Sequence, residues 1–285
     1  MKNKILIIGA SGSIGLEVAH RLIDKNLHVK IAVRDPEKAK KMNLKNTEFV
    51  KFDYFDSDTF DSTFENVQKL LLVSPPSYFG IQDKVINAIE SAIKNEVELI
   101  VNISAISIES ELDKPMKAIE EHIKKSGVAH VFIHPNVYMQ NFNDLFRDLI
   151  ISEEEIAIPA DSAKVSFVDV RDVADVAVQT LLEDNLKNNT FNLTGKQALN
   201  LHVVSYLFSE ALNKEIKYKN ISEDVFEKLL QSANWPTGTI TGTLQLCEHI
   251  KNGKIDFVTN DIQKILNKEP IKFQQFINDY IDIWK

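Results

Sequence analysis

The first half of the chain alternates short apolar runs with longer stretches in which apolar residues recur at helical spacing. The short runs, rich in Val, Ile and Leu, predict buried strands over residues 5–9, 28–33, 47–51, 69–73, 99–103 and 130–134. The amphipathic stretches between them predict helices over residues 15–25, 36–42, 56–65, 82–95 and 115–125. Strands that alternate with helices in this way indicate βαβ units and therefore a parallel sheet.

The first apolar run leads directly into a G-x-x-G-x-x-G turn and then a helix. This order makes an anion site, because backbone N–H groups and the positive end of the helix dipole face the ligand. Glycines let the backbone approach a nucleotide pyrophosphate closely, although the usual spacing is G-x-G-x-x-G and an ordinary strand-to-helix turn is the alternative. The cofactor-binding residues predicted here are Gly9, Ser11, Gly12, Ser13, Ile14 and Gly15.

The pattern changes after residue 134. Residues 136–151 have a helical pattern, a strand is predicted over 165–168, and Asp169 and Asp172 are expected to cap a helix that runs to Leu182. A strand over 190–193 precedes a mostly helical remainder. We therefore predict an α/β fold with a Rossmann-type, doubly wound parallel sheet and a smaller, mostly helical C-terminal lobe. The expected domains are an NAD(P)-binding domain over residues 1–150, with contributions from 165–195, and a substrate-side lobe over 196–285.

Composition narrows the class of partner. The net charge of −8 argues against binding to nucleic acid or an anionic membrane, and no apolar run is long enough to span a bilayer. Cys247 is the only cysteine, which excludes an internal disulfide and fits a cytoplasmic protein. We expect Cys247 to pack in the core. The seven histidines show no metal-ligand spacing, so no metal site is expected.

Residues that follow the strands are candidates for ligand contact, because ligands of doubly wound sheets bind beyond the carboxyl ends of the strands. Arg34 follows the second strand, and its planar guanidinium suits a 2′-phosphate, which favours NADP(H) over NAD(H). A solvated surface charge is the alternative. Asp35 would favour NAD if it were free, but Asp35 before Pro36 predicts a helix N-cap. Asp53 either contacts the adenine edge or forms a plain turn.

The fourth, fifth and sixth strands end in further polar residues and prolines. Because these strands lie towards the middle of the expected cofactor, the residues are predicted to flank its ribose and nicotinamide. They are Ser74, Pro75, Ser104, Pro135 and Asn136.

Four stretches together resemble the atypical, NmrA-like branch of the short-chain dehydrogenase/reductase superfamily, including its quinone-oxidoreductase-like members. They are residues 9–15, 32–36, 134–142 and 167–177, and residues 192–195 are also similar. The third stretch resembles the family segment R-P-x-x-F-M-x-N-F, with His134 in place of Arg. The resemblance covers nearly the whole chain and implies a dinucleotide cofactor.

The chain departs from the superfamily at its Tyr-x-x-x-Lys pair, in which Tyr is the general acid. The similar stretch keeps Lys117 but has Asp113 in place of Tyr, where an N-cap of the next helix is the alternative. An ionised Asp has no proton to donate to a carbonyl, which disfavours simple alcohol dehydrogenation. Lys117 is predicted to hold the nicotinamide ribose or stabilise an anion. The alternative for Lys117 is a solvated helix charge.

Relatives that lack the Tyr include NADPH-dependent quinone reductases, so the resemblance implies hydride transfer to a quinone or similar conjugated electrophile as small-molecule electron acceptor. Water can protonate the stabilised anion that such a reduction forms. Tyr138 is the second catalytic candidate, and Tyr78 and Tyr138 either line the acceptor pocket or pack in the core. Other relatives bind NADP without turnover, so the alternative is a redox sensor that acts through a protein partner. A reductase of aromatic ethers that uses Lys is a third family activity.

Overall fold

The computed structural model describes residues 4–76, 80–107 and 114–285. The strands are β1 Lys4–Ile8, β2 Val29–Val33, β3 Thr47–Lys51, β4 Val67–Val73, β5 Leu99–Ile103, β6 Ala129–Pro135, β7 Glu155–Ala157, β8 Lys164–Val165, β9 Asn189–Leu193, β10 Leu199–Asn200 and β11 Lys217–Lys219. The α-helices are α1 Ser13–Asp24, α2 Pro36–Ala39, α3 Phe60–Phe64, α4 Gln82–Lys94, α5 Lys114–Ser126, α6 Asn141–Leu145, α7 Arg147–Ser152, α8 Val170–Leu182, α9 Leu201–Leu212, α10 Glu223–Ser232, α11 Thr237–Lys251, α12 Asp261–Leu266 and α13 Phe273–Asp279.

The chain divides into two compact units. Unit 1 contains Met1–His134 and Val173–Asn192, and unit 2 contains Pro135–Asp172 and Leu193–Lys285. The main chain therefore passes between the units three times. The predicted folding domains, with limits at residues 150 and 196, stay a prediction.

The large sheet has seven strands in the order β3-β2-β1-β4-β5-β6-β9. The pairs from β3 to β6 are parallel, with Ile5 opposite Val29 and Leu70 opposite Ile100. Strand order runs outward from β1 in both directions, so the topological switch point lies between β1 and β4. The predicted doubly wound α/β sheet is confirmed.

Both faces of this sheet are apolar, which explains why its strands read as nearly continuous hydrophobic runs. Leu6, Ile7 and Leu71 are fully buried on neighbouring strands. Helices cover these faces with their own apolar stripes, as the buried Val85 and Ile89 of α4 illustrate. The predicted helices over 36–42 and 56–65 are shorter than expected, since each is partly a 3-10 turn.

Unit 2 is mostly helical and has two small sheets, in which β7 pairs parallel with β11 and β8 pairs antiparallel with β10. The strand predicted over 165–168 is reduced to β8. The helix predicted over 136–151 begins only at α6, because extended-chain hydrogen bonds hold the preceding residues. Val168 N–H donates to Val137, and Met139 N–H donates to Val168. The core of the unit contains a cluster of aromatic rings, namely Phe142, Phe167, Phe208, Phe273, Phe276 and Trp284.

Candidate functional site

The turn after β1 and the first turn of α1 contain the three predicted glycines, and packing within the chain requires two of them. Gly9 has a φ of +100°, and a Cβ there would lie 2.8 Å from the Cβ of Val73. A Cβ on Gly15 would lie 2.5 Å from the carbonyl oxygen of Gly9. A side chain at either position would collide with neighbouring strand or turn atoms, so these glycines fix the close approach of α1 to the sheet.

Gly12 is different, because the described chain does not require a glycine there. It is the N-cap of α1 with a φ of −93°, and a Cβ would lie 3.5 Å from its nearest neighbour, which is ordinary contact. Ser11, Gly12 and Ser13 are exposed, and the first turn of α1 contains no acidic residue. The free N–H groups of a first helical turn and the positive end of the dipole suit an anion at this position. The absent Cβ leaves room for that anion.

The polar residues that follow β2 and β3 differ in whether their side chains form hydrogen bonds within the chain. Arg34 is exposed, and within the part of the chain that the structure describes no hydrogen bond or ion pair holds its guanidinium. Asp35 is the N-cap of α2, as predicted, because its carboxylate accepts the Lys38 N–H at 3.1 Å. Asp53 accepts the Phe55 N–H at 3.0 Å, so one carboxylate oxygen stabilises a local turn.

Buried polar side chains lie at the carboxyl ends of β4 and β5. The Ser74 hydroxyl donates to Oδ1 of Asn102 at 2.8 Å, and the Ser74 N–H donates to Ile103. Nδ2 of Asn102 is buried with no hydrogen-bond partner among the described residues. A buried amide N–H group without an acceptor is costly, and a ligand carbonyl or a water molecule would satisfy it. Pro75 follows and is half-buried.

A second buried network joins β5, α5 and β6. The Ser104 hydroxyl donates to Oε1 of Glu120 at 2.6 Å, and Nε2 of His134 lies 2.8 Å from the same oxygen. All three side chains are buried. Lys117, the predicted catalytic residue, is half-buried one turn before Glu120 on α5. The predicted cofactor and catalytic roles of Ser104 and Lys117 stay predictions.

Sequence reasoning missed Glu120 and treated His134 only as a departure from the family segment. One signal was available, because Glu120 lies on the apolar stripe of α5 with Met116, Ile119 and Ile123. A carboxylate in that position must be paired when the helix is buried.

The remaining predicted residues lie in unit 2. Pro135 is buried at the end of β6. The side chain of Asn136 forms structural hydrogen bonds, because its Nδ2 donates to Oγ of Ser166 at 2.6 Å and to the carbonyl of Ile255 at 2.9 Å. Tyr138 is half-buried, and burial raises the pKa of its phenol well above the ordinary value. A neutral Tyr138 keeps its proton at physiological pH. The cofactor role of Asn136 and the catalytic role of Tyr138 stay predictions.

Unit 2 also encloses an apolar cavity of about 50 Å³. Phe142, Phe146, Phe226 and Cys247 are among the residues that line it. Burial raises the pKa of the Cys247 thiol to about 12, so this cysteine is protonated and unreactive at neutral pH. The cavity is large enough for a small apolar group.

The acidic residues at the start of α8 have structural partners. Asp169 accepts the Arg171 N–H at 2.8 Å and pairs with the Arg171 guanidinium, as expected of a helix cap. Asp172 lies inside the helix, where it accepts the Ile271 N–H at 2.7 Å and pairs with Lys268 at 3.1 Å. Asp172 is therefore an anchor for the C-terminal segment and not a cap.

Two predicted residues, Tyr78 and Asp113, lie outside the described residues. Across the described ranges, no group of three or more His, Cys, Asp and Glu side chains is placed to hold a metal ion. Within those same ranges, no helix combines the length and apolar character needed to cross a bilayer.

Comparison with known proteins adds to this geometry. The model of the NmrA-like family matches residues 1–277. The chain belongs to the NmrA-like family. One relative in sequence is an NAD(P)H azoreductase from Xenophilus azovorans, which is 25% identical over 275 residues and covers 95% of this chain and 96% of its own.

Two solved structures illustrate the range of this family. An NADPH-dependent quinone oxidoreductase from Escherichia coli, solved with NADPH, has a TM-score of 0.88 at 20% identity and covers 97% of this chain and 99% of its own. NmrA itself, a negative transcriptional regulator solved with NADP, has a TM-score of 0.81 at 15% identity and covers 99% of this chain and 96% of its own. These similarities establish the fold.

Proposed function

We propose that this protein is an NADPH-dependent oxidoreductase that transfers a hydride to a quinone or a similar conjugated electrophile. The observation that carries the proposal is Gly12, a glycine that packing does not require, at an exposed helix N-terminus without acidic residues. A pyrophosphate fits there, because the N–H groups of Ser13 and Ile14 are available and no side chain blocks them. The relatives that reduce azo compounds and quinones support the reaction class.

NADP(H) fits the residues at the carboxyl ends of the strands better than NAD(H). The Arg34 guanidinium is exposed and unpaired within the described chain, so it can donate two parallel hydrogen bonds to a 2′-phosphate. The nearest acidic side chain in sequence, Asp35, is already occupied by its cap. Asn102 also indicates a ligand site at this end of the sheet, since its buried Nδ2 lacks an acceptor in the described chain.

When bound, NADPH supplies the hydride. We assign to Lys117 the stabilisation of the negative charge that the hydride leaves on the acceptor, since an ammonium group in a partly buried site interacts strongly with an anion. Ser74, Pro75, Ser104, Pro135 and Asn136 are proposed to flank the cofactor. Tyr138 holds its proton tightly, and we assign to it a contact with the acceptor ring.

The first test is NADPH oxidation by the purified protein with a simple quinone, with NADH measured in parallel. Saturable turnover that prefers NADPH is the expected result. Lys117→Ala should lower kcat, whereas Lys125→Ala, which removes an exposed lysine of the same helix, should not. Absence of turnover by a protein that binds NADPH would refute the enzyme and favour an NADP(H)-binding sensor with a protein partner.

A further inference from the structure

We propose that Ser104, Glu120 and His134 form a proton relay that protonates the reduced acceptor. The relay takes the place of the Tyr that this chain lacks, and it rests on the proposed oxidoreductase function. All three residues belong to unit 1, where Ser104 directly follows β5, Glu120 lies on α5 and His134 lies on β6.

The geometry is that of a continuous hydrogen-bonded chain. Oγ of Ser104 and Nε2 of His134 lie 2.6 and 2.8 Å from one oxygen of Glu120. A carboxylate that is ionised only accepts, and in that state of Glu120 both neighbouring groups donate to its oxygen. Each side chain is at most 9% exposed, which shields the network from bulk water. Well-packed apolar residues often stabilise a core as much as a buried charged pair does, so stability alone gives little reason for this network.

The network can transfer a proton because residue 134 is a histidine and not an arginine. The family segment that this region resembles has Arg at this position, and a guanidinium remains protonated at any physiological pH. An imidazole can release and recover a proton near neutral pH. His134 therefore changes a fixed ion pair into a pair that can pass a proton.

The charged side chains around the relay lie on two elements, α5 and α4. On α5, Lys117 lies one turn before Glu120, His122 pairs with Glu90 of α4 at 3.7 Å, and Lys124 lies over the ring of Phe132 at 5.0 Å. On β5, the neighbouring polar residue is the uncharged Asn102. The strand beside β6, β9, contains no charged residue. Lys117 is therefore the lysine closest in sequence to Glu120.

The proposed step conserves atoms and charge. Hydride transfer oxidises NADPH to NADP⁺ and leaves an anion on the acceptor. The Ser104 hydroxyl turns its hydrogen from Glu120 to this anion, and its O–H bond breaks as the new bond to the product forms. One proton moves from the His134 imidazolium through the Glu120 carboxylate to the Ser104 oxygen, and solvent then returns a proton to His134. The relay consumes one proton from water in each turnover.

Because the relay supplies a proton, replacing His134 should affect kcat more with some acceptors than with others. A reduced quinone is a stabilised phenolate that water can protonate, whereas a reduced azo group is a strongly basic nitrogen anion that needs a positioned donor. Positioned acids typically contribute factors of about 10² to 10⁴. Replacement of His134 should therefore lower kcat about 100-fold with an azo dye and only a few-fold with a quinone.

The test compares His134→Arg, which restores the residue of the family segment, with His134→Gln, which keeps an uncharged donor. In the wild type, kcat with the azo dye should fall as the pH rises, because the relay must deliver a proton in each turnover. Both variants should lose this pH dependence, and their kcat should fall about 100-fold with the azo dye and a few-fold with the quinone. His122→Gln, which changes the histidine of the helix α5 that also carries Glu120, is the matched control and should keep the wild-type profile. A purely structural role predicts an equal loss with both acceptors and an unchanged pH profile, and that result would overturn the relay.

Calorimetry of NADP⁺ binding gives a readout without turnover. The cationic nicotinamide should disfavour the protonated imidazole, so wild-type protein should release a fraction of a proton near neutral pH, measured in buffers of different ionisation enthalpy. His134→Arg should release none, and equal release by both proteins would also overturn the relay. Wild-type protein that binds NADP⁺ and releases the proton but reduces neither acceptor would refute the proposed function alone.

Discussion

The three glycines of the β1–α1 turn should respond differently to the same substitution, because a methyl group meets different neighbours at each. Gly12→Ala places its Cβ 3.5 Å from the carbonyl oxygen of Gly9 at an allowed φ of −93°. Loss of an N-cap glycine costs roughly 0.5–1 kcal/mol, and the reduced entropy of the unfolded chain returns about 0.4–1 kcal/mol. The free energy of unfolding should therefore change by less than about 0.5 kcal/mol.

Gly15→Ala places its Cβ only 2.5 Å from the same oxygen, which is a backbone atom that cannot rotate away. Overpacking of this kind costs about 1–3 kcal/mol, so this variant should be clearly destabilised. If a pyrophosphate occupies the space above Gly12, Gly12→Ala should weaken NADPH binding about tenfold or more, which corresponds to ~1.4 kcal/mol.

The assay combines urea unfolding of the cofactor-free protein with NADPH titration followed by fluorescence. We expect opposite outcomes. Gly12→Ala should be as stable as the wild type but bind NADPH poorly, and Gly15→Ala should be destabilised. Wild-type affinity in a folded Gly12→Ala protein would refute the placement of the cofactor at this turn. Destabilisation of both variants to the same extent would refute the separation of their roles.

Three further changes test other parts of the structure. Arg34→Ala should weaken NADPH binding far more than NADH binding, and equal weakening in parallel titrations would exclude a contact between Arg34 and the 2′-phosphate. Asn136→Ala should lower the free energy of unfolding by about 2–3 kcal/mol, because it removes the bonds to Ser166 and Ile255, whereas unchanged urea unfolding would contradict that structural role. Burial raises the pKa of Asp172 above 3.8, partly offset by Ile271 and Lys268, so its contribution to stability falls as pH rises from about 4 upward. The difference in unfolding free energy between wild type and Asp172→Asn should therefore decrease over that range, and a constant difference would refute the shift.

Short-range sequence patterns were sufficient to predict most of the strands and helices of unit 1. The apolar runs gave the strands to within about two residues, and Asp35 before Pro36 gave a helix start whose side-chain bond spans only three residues. Interactions of this range are determined by neighbouring residues, so their patterns are visible in the sequence.

Unit 2 and the buried networks depend on residues that are distant in sequence. The delayed start of α6 follows from the pairing of residues 137–139 with Val168, and Asn136 finds its partner Ile255 more than a hundred positions later. The same holds for Glu120 and His134, whose pairing requires α5 to pack beside β6. A periodic pattern predicts which face of a helix is buried but not which side chain it will meet.

The three passages of the main chain between the units have a consequence for how the protein is made. Most of the edge strand β9 and most of the helix α8 belong to unit 1, yet these residues follow the first segment of unit 2 in the chain. A ribosome therefore releases six of the seven strands of the sheet long before the last strand exists, and β6 has an unpaired edge in the meantime. No single cut in the gene separates the two units, so they are expected to be inherited, and to recombine, only as a pair.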